Sequence, residues 1–338
     1  MKVARYLGPG RLALEDAPVP EPGDGEVLVR VRACGVCGTD VKTYLRGHAL
    51  IGPGAVLGHE VAGEVAVSRH PGFRVGERVA VGPYAECGEC DACRRGHPSL
   101  CARLHEAFAE PGGFAEYVRV PRRLADRVMH VLPPGLAYER AALVEPLACC
   151  VHGLRVAGVT AASRVLVIGD GPMGLLQAAL ARAWGVTSVL LSGATPHRLA
   201  FARTVADAVV DATREDLAAA VAAWAPAGPD ATLVSVASVT SLADAIALSA
   251  RGGVVNAFAG MPKGEHLPLD LRRVHYDEVR VAGSFGYGSD DFREAFDLLA
   301  ADALPLDGFV TDRVALDDVE AALQRGAAHA GVKTVVVG

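Results

Sequence analysis

The stretch RVLVIGDGPMG, residues 164–174, decides the fold of this chain. Residues 164–168 predict a short apolar strand, which runs directly into a Gly-x-Gly-x-x-Gly turn and then into the helix-like segment 175–184. A glycine turn between a strand and a helix is the arrangement that binds the pyrophosphate of a dinucleotide. This context predicts a dinucleotide-binding domain, where a bare glycine pattern would be a weak signal.

Each part of the turn has a physical role. Gly169 permits the tight turn, Gly171 lets the backbone approach a pyrophosphate, and Gly174 lets the helix pack closely on the strand. Free amide groups at the helix start attract the phosphates. We therefore assign Gly169, Gly171, Pro172, Met173 and Gly174 to a dinucleotide site.

Strand and helix candidates alternate beyond this turn. The predicted strands are 188–191, 208–210, 231–236 and 254–258, and the predicted helices are 198–206, 215–224 and 242–250. Alternating elements of this length are typical of a parallel, doubly wound sheet. The sequence therefore predicts an α/β fold for this part of the chain.

Four cysteines form a second motif. Cys87, Cys90, Cys93 and Cys101 follow the spacing Cys-x2-Cys-x2-Cys-x7-Cys. Four thiolates from one short segment can close a tetrahedral shell around zinc and leave no position open, which is typical of a structural site. The alternatives are ordinary thiols or two disulfides, but a chain of 338 residues without a recognisable leader does not resemble a small secreted scaffold.

Further metal-binding residue types come from separate segments. The alternating segment 26–33 predicts a strand that delivers Cys34 and Cys37 to a glycine-rich turn, and His59 and Glu60 precede a second predicted strand, 61–67. Glu145 opens a helix-compatible run. Each residue alone is weak, but a thiolate, an imidazole and one or two carboxylates together predict an open zinc site.

Composition narrows the function classes. The net charge of -6 and the pI near 6.0 give no reason to expect a nucleic-acid partner. No apolar run reaches the length of a membrane helix, so we expect no membrane partner and a cytoplasmic protein. With 51% hydrophobic residues the chain can bury a large core, and its length favours two domains.

Taken in order, the motifs resemble those of a known family. Besides the four-cysteine spacing and the glycine turn, the chain carries Cys37-Gly38-Thr39-Asp40, Gly58-His59-Glu60 and the segments 112–117 and 145–148. This order is similar to that of zinc-dependent medium-chain alcohol dehydrogenases. The chain looks most like the polyol branch, which includes sorbitol, threonine and aminocyclitol dehydrogenases.

The resemblance implies two domains. A GroES-like, mostly β catalytic domain is expected over residues 1–148 and 286–338, with a structural zinc lobe at 87–101. A Rossmann domain is expected over residues 149–285. Within these domains, 278–285 is expected to form the last Rossmann strand and its exit, 292–301 and 317–328 late helices, and 333–337 a closing strand.

The resemblance also implies roles at the open zinc site. Cys37 and His59 are expected to bind the catalytic zinc, with Glu60 as a third ligand and Glu145 as an alternating ligand or a partner of the bound water. Thr39 is the expected proton relay. Lys42 stands where many relatives have a histidine, so it is either a substitute base or a solvated surface lysine.

Three other cysteines have a different expected role. Cys34, Cys149 and Cys150 are expected to be packing residues that bind no metal.

Cofactor choice depends on the end of the second Rossmann strand. An acidic residue about 20 positions beyond the glycine turn binds the ribose of NAD, but the segment 190–198 has no carboxylate and Gly193 stands at that place. The absence of a negative charge favours NADP over NAD. The candidate contacts to a 2′-phosphate are Ser192, Gly193, Thr195, His197 and Arg198. Arg198 has alternative positions, stacked on adenine or facing water.

The implied activity is hydride transfer between a secondary alcohol and NAD(P), which gives a ketone. A polyol, cyclitol or aminocyclitol is the leading substrate class, and an L-threonine 3-dehydrogenase-like or sugar-phosphate activity is the alternative. Two alternatives of other classes are a zinc-free quinone-reductase-like relative and a non-catalytic zinc- or nucleotide-binding protein. Tyr44, Arg46, His48 and the segment 284–287 are candidate cleft residues. A homodimer or homotetramer is expected from the resemblance.

Overall fold

The computed structural model describes all residues from Met1 to Gly338, and their contacts divide into two compact units. Unit 1 comprises Met1–Ala148, Tyr287–Ala301 and Gly308–Gly338, and unit 2 comprises Cys149–Gly286 and Asp302–Asp307. Residues 302–307, within the stretch expected for the catalytic domain, therefore group with unit 2. No helix combines the length and the apolar character that crossing a bilayer requires.

The chain forms fifteen strands. They are β1 Lys2–Gly8, β2 Arg11–Asp16, β3 Val27–Gly35, β4 Glu60–Ser68, β5 Arg78–Val81, β6 Tyr117–Val120, β7 Met129–Val131, β8 Arg164–Ile168, β9 Ser188–Gly193, β10 Ala208–Asp211, β11 Ala231–Val234, β12 Val254–Ala257, β13 Arg280–Gly283, β14 Val310–Ala315 and β15 Lys333–Val337.

Twelve α-helices and three short 3-10 segments connect the strands. The helices are α1 Gly38–Arg46, α2 Asp91–Arg94, α3 Arg122–Val128, α4 Tyr138–Ala141, α5 Val144–Val156, α6 Pro172–Ala183, α7 Pro196–Val205, α8 Leu217–Trp224, α9 Val239–Leu248, α10 Leu271–Tyr276, α11 Ser289–Ala300 and α12 Val319–Ala327. The 3-10 segments are Pro98–Leu100, Leu104–Glu106 and Leu316–Asp318.

Unit 2 contains a six-stranded sheet with every strand parallel to its neighbours, in the order β10-β9-β8-β11-β12-β13. The order reverses direction at β8, which is the topology of a doubly wound, dinucleotide-binding sheet. The central strands β8 and β11 are almost wholly buried, as parallel strands covered on both faces must be. The predicted α/β fold class is confirmed.

Unit 1 contains a seven-stranded sheet in which β14-β15-β3-β4-β5-β7 follow one another and β6 pairs with β3. Only the β14–β15 pair is parallel. The last strand of the chain, β15, thus pairs with β3, which leads into Cys37. Strands β1 and β2 form a separate antiparallel hairpin.

The predicted elements correspond closely to the observed ones, with ends that differ by a few residues. The largest differences are at helix starts, where α6 begins at Pro172, α9 at Val239 and α11 at Ser289, each three residues before the predicted start. Proline suits the first helical position, as Pro172 does here, because a backbone N–H at that position has no acceptor within the helix. The short α10 and the hairpin β1–β2 were not predicted, since neither has a strong period of its own.

One buried histidine couples the stability of unit 1 to pH. His130 in β7 packs between the rings of Phe292 and Phe296, at centroid distances of 5.6 and 5.0 Å. Burial and the nearby charge of Arg293 lower the pKa of His130 to about 4. An unfolded chain takes up this proton at an ordinary histidine pKa, so the folded state loses stability as pH falls between these two values.

We predict that the free energy of unfolding falls between pH 7 and pH 5 by about 2 kcal/mol more in the wild-type protein than in His130→Leu. Leucine has no titratable group, so this contribution to the pH dependence is absent from the variant. Denaturant unfolding at both pH values measures the difference. Equal pH dependence of the two proteins would contradict a neutral, buried His130.

Candidate active site

Three potential metal ligands meet at the ends of two neighbouring strands in unit 1. Cys37 is the N-cap residue of α1 directly after β3, and His59 and Glu60 lie at the start of β4. Strands β3 and β4 pair with Gly35 opposite Glu60, which brings the two segments together. One donor atom from each of Cys37, His59 and Glu60 lies within 4.8 Å of the others.

Two glycines allow the donor residues Cys37, His59 and Glu60 to come together. A Cβ on Gly35 would lie 1.9 Å from Oε2 of Glu60, so only glycine leaves space for the carboxylate. Gly58 has a φ of +84°, and a Cβ there would lie 2.7 Å from the Phe114 ring. The backbone before His59 therefore turns in a conformation that residues other than glycine rarely adopt.

The Glu60 carboxylate is balanced by a buried lysine. Nζ of Lys333 in β15 lies 2.6 Å from Oε2 and 2.7 Å from Oε1 of Glu60, and it also donates to the Val36 carbonyl at 3.0 Å. Burial lowers the pKa of Lys333, but the neighbouring Glu60 and Cys37 outweigh this and raise it overall. Lys333 is thus the buried cation that pairs with the Glu60 carboxylate.

Asp40 organises the same site from α1. Its Oδ1 lies 3.4 Å from Nδ1 of His59 and accepts the Gly58 amide at 3.1 Å, while its Oδ2 accepts the Cys37 amide at 3.0 Å. Burial raises the pKa of Asp40, but His59 and these two amides lower it overall, so the buried carboxylate stays ionised. A carboxylate behind a histidine orients the ring for metal binding.

The electrostatics of the cluster favour a cation. Burial lowers the pKa of His59, but Asp40 and Cys37 raise it well above its ordinary value. The same negative charges that hold a proton on His59 would hold a metal ion in its place. A thiolate, an imidazole and a carboxylate are zinc ligands, and three protein ligands leave a position open for a substrate. The residues therefore fit a catalytic zinc ion.

Glu145 lies near this cluster at the start of α5 and is buried. Burial raises its pKa to about 7, with Glu60 adding to the effect and His59 opposing it. Its carboxylate is not one of the three donors that lie within 4.8 Å of one another.

The four cysteines of the predicted lobe also come together. Their four sulfur atoms lie within 4.8 Å of one another, and the structure has no disulfide among them. Backbone amides point at the sulfurs, as in the bonds from Cys90 N to Cys87 Sγ and from Arg103 N to Cys101 Sγ, both 3.3 Å. Such bonds favour thiolates. Backbone amides of Cys93 and Ala102 lower the pKa of Cys90 to about 6, while burial and the neighbouring Cys90 raise the pKa of Cys93 to about 12. The set fits a structural zinc ion.

In unit 2 the glycine turn has the geometry that a pyrophosphate needs. A Cβ on Gly174 would lie 1.9 Å from the Gly169 carbonyl oxygen, so glycine allows α6 to pack on β8. Gly171 has open space around its Cα and is the N-cap of α6, with Pro172 and Met173 as the first helical residues. The turn thus leaves free amides and free space at the helix start, which fits a dinucleotide.

The candidate contacts to a 2′-phosphate at the end of β9 and in the turn that follows differ in burial. Ser192 and Gly193 are buried within the strand, Thr195 is the N-cap of α7, and His197 is exposed. Arg198 is only 6% exposed, which excludes the water-facing alternative. Burial lowers the pKa of Arg198 while the charge of Asp170 opposes the effect.

Two candidate substrate contacts are packing residues instead, so these predictions were wrong. Tyr44 is buried, and its hydroxyl donates to Glu320 Oε1 at 2.8 Å across the α1–α12 contact. Tyr287 is buried and stacks on Tyr84 at 4.8 Å. Arg46, His48 and Phe285 are exposed.

Cys34 and Cys150 are buried and Cys149 is partly buried. The Cys34 thiol fills space that a side chain at Gly113 would need, since a Cβ there would lie 2.4 Å from the sulfur. Burial raises the pKa of Cys34 well above its ordinary value, which keeps the thiol neutral.

Sequence reasoning assigned no role to three site residues. Asp40 stands within the quoted Cys37 motif, and its signal was an acid at the third position of a helix, where it caps the N-cap amide. Asp170 stands inside the glycine turn. Lys333 had no local signal, because its partner Glu60 lies 273 residues earlier in the chain.

Comparisons with known proteins agree with this geometry. The family model "Alcohol dehydrogenase GroES-like domain" matches residues 23–131, and the model "Zinc-binding dehydrogenase" matches residues 172–301. The sorbitol dehydrogenase of Bombyx mori is 31% identical over 341 residues, which cover 97% of this chain and 96% of that protein. The L-galactonate-5-dehydrogenase of Escherichia coli (strain K12) is 31% identical over 318 residues, covering 93% and 91%.

A solved structure is similar over the full length. The crystal structure of a zinc-binding dehydrogenase from Sinorhizobium meliloti 1021 bound to NADP has a TM-score of 0.91 and 33% identity, and the match covers 100% of this chain and 99% of that one.

Fold, donor cluster and glycine turn together define an NAD(P)-linked, zinc-dependent alcohol dehydrogenase. The chain belongs to the zinc-dependent medium-chain alcohol dehydrogenase family, which confirms the resemblance seen in its motifs.

We predict that Asp40→Ala weakens zinc binding at the Cys37 cluster about 10- to 100-fold, because His59 loses the carboxylate that orients it. Competition with a chelator measures the affinity. Asp126→Ala is the matched control, since it removes another His–Asp pair, with His70, at 2.9 Å. Equal zinc affinity of the Asp40→Ala and Asp126→Ala proteins would contradict the role of Asp40.

Proposed function

We propose that this protein oxidises a secondary alcohol of a polyol, cyclitol or aminocyclitol to the ketone, with NADP favoured over NAD as the hydride acceptor. The observation that carries the proposal is the Cys37, His59 and Glu60 cluster, an open donor set in a chain that also carries a dinucleotide turn. The similarity to sorbitol and L-galactonate dehydrogenases supports a polyhydroxylated substrate.

Two zinc ions per chain belong to this proposal. Cys37, His59 and Glu60 hold one, with Glu145 as an alternating ligand, and the four cysteines of the lobe hold the other. Zinc at the open site supplies a positive charge that stabilises an alcohol in its deprotonated form. Lys333 contributes by pairing with the buried Glu60 carboxylate, and Asp40 by fixing the His59 ring.

Residues of α1 are proposed to remove the proton of the alcohol. Thr39 is the second residue of this helix, two positions after Cys37, and it is exposed. Its hydroxyl accepts the alcohol proton and passes it on. Lys42 is also exposed and lies three residues further, on the same face of the helix, so it is the candidate for the next step of the relay.

The preference for NADP rests on the end of β9. Gly193 presents no carboxylate to a 2′-phosphate, while Ser192, Thr195, His197 and Arg198 lie in or next to the same turn. The NADP bound to the Sinorhizobium meliloti relative supports the same choice.

The protein is proposed to act in the cytoplasm as a homodimer or homotetramer. Eight free cysteines suit a reducing compartment. Strand β13 is the edge of the unit 2 sheet, and the exposed apolar residues on or near it are Leu271, Val274, Tyr276, Val281 and Phe285. An exposed, apolar edge strand favours pairing with a second copy.

The activity is tested by following reduction of NADP and of NAD over a panel of sugar alcohols, cyclitols, threonine and simple secondary alcohols. We expect turnover with one polyol class, faster with NADP. Cys37→Ala is expected to abolish turnover while the lobe keeps its single zinc ion, measured by elemental analysis. Turnover by Cys37→Ala at the wild-type rate would refute the assignment of the active site, and no turnover with any polyol would refute the substrate class.

The relay is tested at Thr39. We predict that Thr39→Ala lowers kcat about 100-fold with unchanged zinc content, because the alcohol loses its proton acceptor. Thr39→Ser is the matched control and keeps most of the activity, since it retains the hydroxyl. A Thr39→Ala enzyme as fast as Thr39→Ser would show that this hydroxyl carries no proton.

The assembly is tested by sedimentation. We expect a mass two or four times that of the 35.0 kDa chain. Val281→Lys places a charge on the β13 edge and is expected to shift the protein to smaller species. Val19→Lys, at a similarly exposed position in unit 1, is the control. A wild-type monomer would contradict the proposed assembly.

A further inference from the structure

The end of β9 is in contact with the side chain of a residue from the glycine turn. Asp170 lies inside the glycine turn, between Gly169 and Gly171, and its side chain reaches the β9–α7 turn. Its Oδ2 accepts the amide of Ala194 at 2.9 Å and the amide of Thr195 at 2.6 Å. The Asp170 side chain is almost completely buried.

Asp170 and the side chain of residue 193 compete for one space. A Cβ built on Gly193 would lie 2.4 Å from Cβ of Asp170 and 2.7 Å from its Oδ2. These distances are far below van der Waals contact, and the Asp170 Cβ is fixed to the backbone of the glycine turn. Gly193 has no left-handed φ, so its backbone conformation does not require glycine. It is the Asp170 side chain that requires glycine at this position.

The two bonds from Asp170 also fix the turn that follows β9. Ala194 and Thr195 precede the first turn of α7, where Thr195 is the N-cap residue and makes no side-chain cap bond. One carboxylate oxygen holds both amides, so the carboxylate is directed at the backbone of the turn. Charge-assisted bonds of this kind are stronger than neutral ones.

We propose that Asp170 is a specificity-positioning residue for the adenosine end of the cofactor. It excludes a side chain from position 193 and holds the 193–195 turn in the shape that presents Ser192, Thr195 and Arg198 to a 2′-phosphate. This inference rests on the proposed preference for NADP. It goes further in stating that cofactor choice depends on a coupled pair, Asp170 with Gly193, and cannot be reversed at position 193 alone.

The test compares wild type, Asp170→Gly, Gly193→Asp and the double variant, with glycine at position 170 because alanine would keep the Cβ that lies 2.4 Å from a Cβ at position 193. Kd values for NADPH and NADH are measured by the fluorescence of the reduced cofactor, without substrate, and thermal melting monitors folding. We expect Gly193→Asp alone to weaken both cofactors more than tenfold and to lower the melting temperature, because two side chains then occupy one space. In the double variant the space is free, and NADH binding recovers and exceeds NADPH binding.

Asp170→Ala and Asp170→Asn separate the positioning role from a general effect on folding. Asparagine keeps one oxygen that can accept both amides, so it is expected to bind NADPH within about twofold of wild type. Alanine is expected to weaken NADPH roughly tenfold and NADH much less, because only NADPH uses the shaped turn. An equal loss of both cofactors with a lower melting temperature would show a merely structural role.

Two further outcomes would overturn the inference. A stable Gly193→Asp protein that prefers NADH without a change at Asp170 would show that the two positions are independent. An Asp170→Asn protein that binds NADPH several-fold more tightly than wild type would show that the carboxylate repels the 2′-phosphate. Wild-type protein that binds NADH more tightly than NADPH would refute the proposed cofactor preference, while the coupling between positions 170 and 193 would still be measured by the four proteins.

Discussion

The buried ion pair between Glu60 and Lys333 is the constraint on which the candidate metal site depends. Both side chains are almost completely buried, and burying a charge is costly unless an opposite charge is paired with it. The lysine comes from β15, the last strand, which pairs with β3 beside the Cys37 turn. The surroundings of the residues between 37 and 60 therefore include the last strand of the chain, which belongs to the same unit.

Space is the second constraint, and glycines provide it in both units. Gly35 leaves room for the Glu60 carboxylate, and Gly174 lets a helix approach a strand. Gly193 leaves room for Asp170. In each case a functional group stands where a Cβ would otherwise be. These glycines are therefore part of the sites themselves, and Gly171 belongs to the dinucleotide turn because its surroundings are open.

The sequence predicts what depends on local pattern and misses what depends on distant partners. Strand β8, the glycine turn and the four-cysteine lobe are each contained in one short segment, so their period and spacing were sufficient. Lys333 could not be found, because nothing near it in the sequence points to Glu60. Asp170 was hidden for a related reason: its role is visible only when β8 and β9 lie side by side. Tyr44 shows the reverse error, since a polar residue after a metal motif can be buried in a helix contact.

We propose that the chain holds one metal ion in a mixed donor set and one in a sulfur-only set. X-ray absorption at the zinc edge tests it most directly, on wild-type protein and on Cys90→Ser, which removes one ligand of the lobe. We expect two zinc ions in the wild type, with an average shell that contains nitrogen or oxygen as well as sulfur. In Cys90→Ser the remaining zinc should have a shell dominated by nitrogen and oxygen with a single sulfur. A wild-type shell of sulfur alone, with one zinc ion per chain, would contradict the metal site at Cys37, His59 and Glu60.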